Sequence, residues 1–153
     1  MTCPICSWSP DNPDYLFVYE TRFWHVVLAP NQSLVGRCVV HLRRHCGDVA
    51  ETSPAEILDW LNLVAIMERA LRRAFDATMF NWSCNMNLAY RKNPPDPHVH
   101  WWVVPRYNHP VNVGTWVFED SHFGSPYDHS LWIEVPEEVH QQISERLRQA
   151  ISI

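Results

Sequence analysis

The sequence predicts an α+β fold built as a single domain over residues 1–153. Short runs of aromatic and β-branched residues, separated by Pro, Asn, Asp and Gly, indicate strands. Two longer segments carry helix-start signals and apolar stripes. Apolar residues make up 46% of the 153 residues and charged residues 19%, so we expect one substantial core.

The charge and the apolar runs narrow the possible partners. A net charge of −5 argues against a general nucleic-acid binder, because little would neutralise a phosphate backbone. No apolar run approaches membrane-spanning length, and the N-terminus lacks the features of a secretion signal. We therefore expect a cytoplasmic protein without nucleic-acid or membrane partners. In that compartment the five cysteines should be thiols or metal ligands.

The first motif along the chain is the C-x-x-C pair of Cys3 and Cys6. It is compatible with half of a zinc site, a redox dithiol or two unrelated thiols. A redox dithiol usually follows a strand and starts a helix, and no strand precedes this pair. Half of a zinc site needs two more ligands from elsewhere in the chain.

Three strands are predicted next, at residues 15–19, 23–28 and 36–42. A short polar turn joins the first two, which should form a hairpin. The third strand ends in the basic cluster of Arg43, Arg44 and His45, which would be a solvated strand end if it had no other role.

A long helix is predicted from Pro54 to about Phe75. Ser53 can cap it, Pro54 suits its first position and Glu56 completes a capping box. Its predicted buried stripe consists of Ile57, Leu61, Val64, Leu71 and Phe75.

Residues 78–88 return to strand character, with Asn81, Asn85 and Asn87 on one face. Asparagine is depleted in strands, so this face is either a solvated surface or a row of amides facing a ligand.

Residues 97–106 form the predicted central strand. Alternation places His98, His100 and Trp102 on one face, and the apolar residues between them on the other, against the core. The two imidazoles are either satisfied surface histidines or part of a site.

The end of the chain has two parts. Residues 107–135 contain many turn residues and little periodicity, which predicts an irregular surface excursion. A final helix should begin at Pro136 and bury Val139, Ile143, Leu147 and Ile151.

Together these motifs resemble the histidine-triad (HIT) superfamily of nucleotide hydrolases and transferases, in its bacterial and archaeal branch with a C-x-x-C zinc site. The residues that carry the resemblance are the C-x-x-C pair, Arg-Arg-His, the Asn-bearing strand and His-Val-His followed by Val-Val-Pro-Arg. It covers Cys3 to about Arg106. It implies a HIT-like antiparallel sheet of about five strands, one long helix, a C-terminal helix and a homodimer.

The resemblance also implies a reaction and its residues. His100 would be a nucleophile on an α-phosphate, forming a covalent histidine-nucleotidyl intermediate that water hydrolyses. The substrate would be a nucleotide, such as a dinucleoside polyphosphate. Asn87, Asn93 and Trp102 would lie near the substrate, and Arg106 would be structural. A structural zinc would be bound by Cys3, Cys6, His45 and His98, with His41 and Cys46 as rivals for the fourth position.

The chain departs from the family pattern at three places. Trp102 stands where relatives carry the third histidine, and Ala29 where they carry an acidic or amide residue against the ribose. Asn93-Pro94-Pro95 replaces the usual Gly-Gln-Ser/Thr phosphate loop. Two functional hypotheses follow: a nucleotide hydrolase or nucleotidyl transferase, or a zinc-stabilised nucleotide-binding or interaction module with weak or lost catalysis. A third interpretation is that the histidines are only structural.

Overall fold

A computed structural model describes residues 3–153 as nine main elements, seven strands and two helices. Two 3-10 helices lie at Val49–Glu51 and Asn87–Arg91. The main elements are β1 (Phe17–Glu20), β2 (Trp24–Leu28), β3 (Cys38–Leu42), α1 (Pro54–Phe75), β4 (Met79–Ser83), β5 (His100–Arg106), β6 (Val111–Val113), β7 (Trp116–Phe118) and α2 (Glu137–Ile151).

A five-stranded antiparallel sheet of order β1-β2-β3-β5-β4 forms the centre of the fold. The predicted α+β fold with an antiparallel sheet of about five strands and two helices is therefore confirmed. In the register of β3 and β5, His41 lies opposite His100 and Val39 opposite Trp102. His25 on β2 lies opposite His41, so three adjacent strands each carry a histidine at the same level of the sheet.

Helix α1 has the bounds that its cap signals predict. The Ser53 hydroxyl accepts from the backbone N–H of Glu56, and the Glu56 carboxylate accepts from the N–H of Ser53 at 2.7 Å. The helix ends at Phe75 and is capped by Asp76, which adopts the left-handed conformation at φ 57°. The predicted stripe was wrong at Leu61, which is 58% exposed, because the buried face runs through residues such as Leu63 and Met67.

The two faces of the sheet have different coverings. Val40, Val99 and Val103 point from one face into the main core, to which α1 and α2 contribute. The opposite face carries His41, His100 and Trp102, and we call it the histidine face. The N-terminal segment, residues 3–16, covers one side of it through Trp8, which packs on the apolar cluster of Val27, Ala29 and Val39.

Arg106 anchors the segment that follows β5. It is 1% exposed and forms an ion pair with Asp120 at 2.6 Å, and it also donates to Asn81 and to the carbonyls of His122 and Ser125. These contacts are those of a structural residue, as expected.

Two predicted segments need correction. Residues 78–88 are not one strand, because β4 ends at Ser83 and Asn87 opens a 3-10 helix. Asn85 and Asn87 therefore do not share a strand face with Asn81. The segment 107–135, predicted as irregular, contains the β6–β7 hairpin. Within residues 3–153, neither helix is long and apolar enough to cross a membrane.

Candidate active site and metal centre

Four side chains from three separate parts of the chain converge beside the start of β5. Their ligand atoms all lie within 4.8 Å of one another. The Sγ of Cys3 is 3.4 Å from Nδ1 of His98, and the Sγ of Cys6 is 3.3 Å from Nδ1 of His45 and 3.5 Å from that of His98. Cys3, Cys6, His45 and His98 are the four residues predicted as metal ligands, and the structure brings them together.

The spacing of this group fits tetrahedral zinc. Zinc–sulfur bonds of about 2.3 Å and zinc–nitrogen bonds of about 2.05 Å separate a sulfur and a nitrogen ligand by about 3.6 Å. The three sulfur–nitrogen distances, at 3.3–3.5 Å, are close to that value. The far ring nitrogens are held as metal-bound histidines usually are. Nε2 of His98 bonds the carbonyl of Leu42 at 2.7 Å, and Nε2 of His45 lies 3.3 Å from the Asp96 carboxylate.

The protonation of the group suits metal binding. Burial lowers the pKa of His98, which keeps its imidazole neutral and its Nδ1 lone pair available. Partial desolvation and the adjacent Cys3 thiol raise the pKa of Cys6 to about 11, so metal binding must release its proton. His41 and Cys46, the rival ligands, are not in the group.

His100 is oriented by its own strand. Its Nδ1–H donates to the backbone carbonyl of His98 at 2.7 Å, which fixes the neutral ring as the tautomer with an unprotonated Nε2. The His100 imidazole is half-buried and lines a cavity. A ligand in that cavity can therefore contact the side chain that carries the Nε2 lone pair.

The cavity over the histidine face has two adjoining parts of about 390 and 450 Å³, which we call the sheet-face cleft. This volume suits a small organic ligand. The N-terminal segment forms one wall and the 3-10 helix Asn87–Arg91 the other. Both parts are lined by Pro4, Ile5, Leu88, His100 and Trp102.

The predicted substrate residues lie differently around this cleft. Trp102 lines both parts. Asn87 and Asn93 are exposed on the segment that borders the cleft, and neither is among its lining residues. The lining instead includes Asn85 and Lys92. Sequence reasoning missed Lys92, although it is the only lysine in the chain.

Trp102 and Ala29, two of the departures from the family pattern, are linked by one apolar cluster. Trp102 packs on the apolar cluster that contains Ala29, whose side chain is 1% exposed. The guanidinium carbon of Arg37 lies 4.4 Å from the Trp102 ring centroid, and Arg37 is itself 9% exposed, with its Nε buried and unpartnered. The cation–π contact with Arg37 holds the indole in place against this cluster.

His41 is a further residue that sequence reasoning did not place in the cleft. It is 4% exposed, and both ring nitrogens are buried without a hydrogen-bond partner. Its ring contacts those of Trp8 and His25, with centroids 5.3 and 5.2 Å away. Burial, followed by the charge of His25, lowers the pKa of His41 to about 3. The sequence does contain a signal for this position. Alternation along β3 places His41 on the other face of the sheet from Cys38 and Val40, which is the face that carries His100.

Comparisons with known proteins give the fold an external reference. No protein-family model and no curated protein sequence matches the chain. Similar solved structures include a hypothetical histidine triad nucleotide-binding protein from Sulfolobus tokodaii, with 15% identity over 98% of this chain and 92% of that one, and a TM-score of 0.70.

Two further solved structures are more distant in shape. A zinc-bound histidine triad family protein from Mycobacterium smegmatis has 22% identity over 89% of this chain and 83% of that one, with a TM-score of 0.55. A diadenosine triphosphate hydrolase from Plasmodium falciparum has 15% identity over 93% of this chain and 78% of that one, with a TM-score of 0.57. At these identities the likeness establishes the fold.

Proposed function

We propose that this chain, which has the fold of the histidine triad proteins, hydrolyses nucleotides or transfers a nucleotidyl group through a covalent intermediate on His100. The orientation of His100 is the observation that supports this most. Its Nδ1 hydrogen bond to the His98 carbonyl leaves an unprotonated Nε2 on a side chain that lines the sheet-face cleft. A nucleotide or dinucleoside polyphosphate is the proposed substrate.

The proposed reaction has two displacements at the α-phosphorus. First, the Nε2 lone pair attacks phosphorus, a P–N bond forms, and the P–O bond to the leaving group breaks with its electron pair on the leaving oxygen. Second, a water oxygen attacks the same phosphorus, and the P–N bond breaks with its electron pair returning to Nε2. One proton of that water passes to solvent, and the products are a nucleoside monophosphate and the leaving group. An acceptor hydroxyl in place of water would make the reaction a transfer.

Zinc at the Cys3, Cys6, His45 and His98 group is the second part of the proposal. The near-tetrahedral spacing of the ligand atoms supports it, as does the zinc-bound protein of the same fold. The metal would be structural, tying the N-terminal segment to the start of β5. With its Nδ1 on the metal and its Nε2 on Leu42, His98 would have no lone pair for phosphorus, which leaves His100 as the nucleophile.

Asn87 and Asn93 remain predicted substrate-binding residues, near the phosphate groups of the ligand. Their side chains form no hydrogen bond within residues 3–153, so both amides are free to bind a ligand that extends beyond the cleft. Backbone N–H groups and such amides would stabilise charge on the phosphoryl group.

A homodimer is proposed for the assembly. Strand β4 is an edge of the sheet, and the nearby helix α1 exposes Leu58 and Leu61 at 63% and 58%. An open edge and exposed leucines are features that a second copy could cover. Light scattering at micromolar concentration should give twice the 18.0 kDa chain mass, and a monomer mass would contradict the proposal.

The test of the function compares His100→Ala, His98→Ala and His25→Ala with wild type on a dinucleoside polyphosphate. His100→Ala should abolish hydrolysis. His98→Ala should mainly lower zinc content and stability. His25→Ala is the matched control, because His25 lies on the same face but does not line the cleft.

A second candidate function is a nucleotide-binding or interaction module with weak or lost catalysis. Trp102 and Ala29 favour it, because the indole packs on the apolar cluster that contains Ala29 and neither side chain can accept a hydrogen bond. Nucleotide binding by wild type without turnover of any nucleotide tested would support this candidate and contradict the first.

A further inference from the structure

Lys92 is the residue of the cleft that carries an inference beyond the proposed reaction. It is the only lysine among 153 residues, and it stands at the C-terminal end of the 3-10 helix Asn87–Arg91. Its side chain lines the same part of the cleft as His98 and His100. Within residues 3–153 its ammonium forms neither an ion pair nor a hydrogen bond. The positive charge of Lys92 is therefore available to bind an anionic ligand.

The Lys92 ammonium stands out among the charges of the residues that line the cleft. Neither part of the cleft is lined by an arginine, so Lys92 is the one permanently cationic side chain among the lining residues. Asp96, the lining carboxylate, lies 3.3 Å from His45. Without Lys92, a phosphate in the cleft would meet no permanently cationic lining side chain, in a chain whose net charge is −5.

We propose that Lys92 binds a phosphate oxygen of the ligand and holds that phosphate at His100. The inference rests on the proposed function and adds to it the side chain that binds the phosphate. A lysine suits this role because its ammonium is a compact charge on a flexible stem, which can reach a phosphate from a cleft wall. Indole at position 102 has one donor and no charge, so it cannot supply the same contact.

The test measures binding of adenosine monophosphate and of adenosine by calorimetry, at low and at moderate salt. Wild type, Lys92→Gln, Lys92→Arg and Arg91→Gln are compared. Arg91 is the matched control, because it is an exposed cation next in the chain that does not line the cleft. Removing a hydrogen bond to a charged group should weaken adenosine monophosphate binding by about tenfold or more in Lys92→Gln.

Adenosine binding, the other two variants and the salt dependence also have expected results. Adenosine binding should be unchanged in Lys92→Gln, Lys92→Arg should recover most of the lost affinity, and Arg91→Gln should resemble wild type. The deficit of Lys92→Gln should shrink as salt is raised, because the contact is electrostatic. Equal binding of adenosine monophosphate by wild type and Lys92→Gln would overturn the role of Lys92 while leaving the proposed function intact. Wild type that binds no nucleotide at all would overturn both.

Discussion

His41→Leu should make the protein more stable, although it removes a histidine from the centre of the candidate site. His41 is 4% exposed and both of its ring nitrogens are unpartnered, and burying a polar side chain unpaired in this way costs about 1–3 kcal/mol. Leucine has a similar volume and no polar atom, so the free energy of unfolding at pH 7.5 should rise by about 1–3 kcal/mol.

The pH dependence gives a second magnitude. Burial lowers the pKa of folded His41 to about 3, whereas the unfolded chain takes up a proton near pH 6.5. The unfolded state therefore binds more protons between these values, and His41 destabilises the fold increasingly as the pH falls from about 6.5 to about 3. Between pH 7.5 and 5.5 this linkage amounts to about 1.4 kcal/mol, which His41→Leu should recover.

Urea denaturation of wild type and His41→Leu at pH 7.5 and pH 5.5 measures both effects, with zinc content determined at each pH. His25→Leu is the control, because its ring nitrogen is already paired with Glu20 at 3.2 Å and offers no comparable gain. A His41→Leu variant less stable than wild type at both pH values would refute the reasoning. So would a stability difference that does not widen at pH 5.5.

Three further perturbations test other parts of the structure. Cys3→Ser should lower the bound zinc well below one ion per chain and should lower Tm. A chelator should have the same effect on wild type. Metal analysis that finds no zinc in wild type would contradict the proposed zinc site. Trp102→His should raise kcat for a dinucleoside polyphosphate if a missing donor limits the reaction, and an unchanged or lower kcat would contradict this. Asp120→Asn should destabilise the fold by about 3 kcal/mol in urea denaturation, because it breaks the buried pair with Arg106, whereas the exposed Asp128→Asn should change little.

Helix α1 was predictable to the residue because its boundary signals are local. Ser53, Pro54 and Glu56 form a cap that needs no tertiary contact, and the predicted limits Pro54 and Phe75 are those observed. The end of β4 was not predictable in this way. Apolar residues continue past Ser83 and β5 reaches back to His100, but the pairing of the two strands stops at Ser83 and Trp102. Tertiary pairing, which the local pattern does not contain, sets where that strand stops.

The candidate site divides along the same line. The ligand types and His100 stand out in the sequence because His-x-His and C-x-x-C are compact motifs. The convergence of residues 3, 6, 45 and 98 came from the family resemblance, since spacing alone left His41 and Cys46 open. The walls of the cleft were missed because Trp8 and Lys92 lie in segments without periodicity, where no face can be assigned.

Trapping a covalent nucleotidyl intermediate on His100 is the decisive test of the proposed reaction. Wild type would be mixed with a dinucleoside polyphosphate labelled at the α-phosphate, quenched in alkaline denaturant that preserves a phosphorus–nitrogen bond, and digested for peptide mapping. We expect one label, on the His100 imidazole of the peptide that contains it, and no label in His100→Ala. Label on His98 or His41, or turnover by wild type without any labelled histidine, would contradict it.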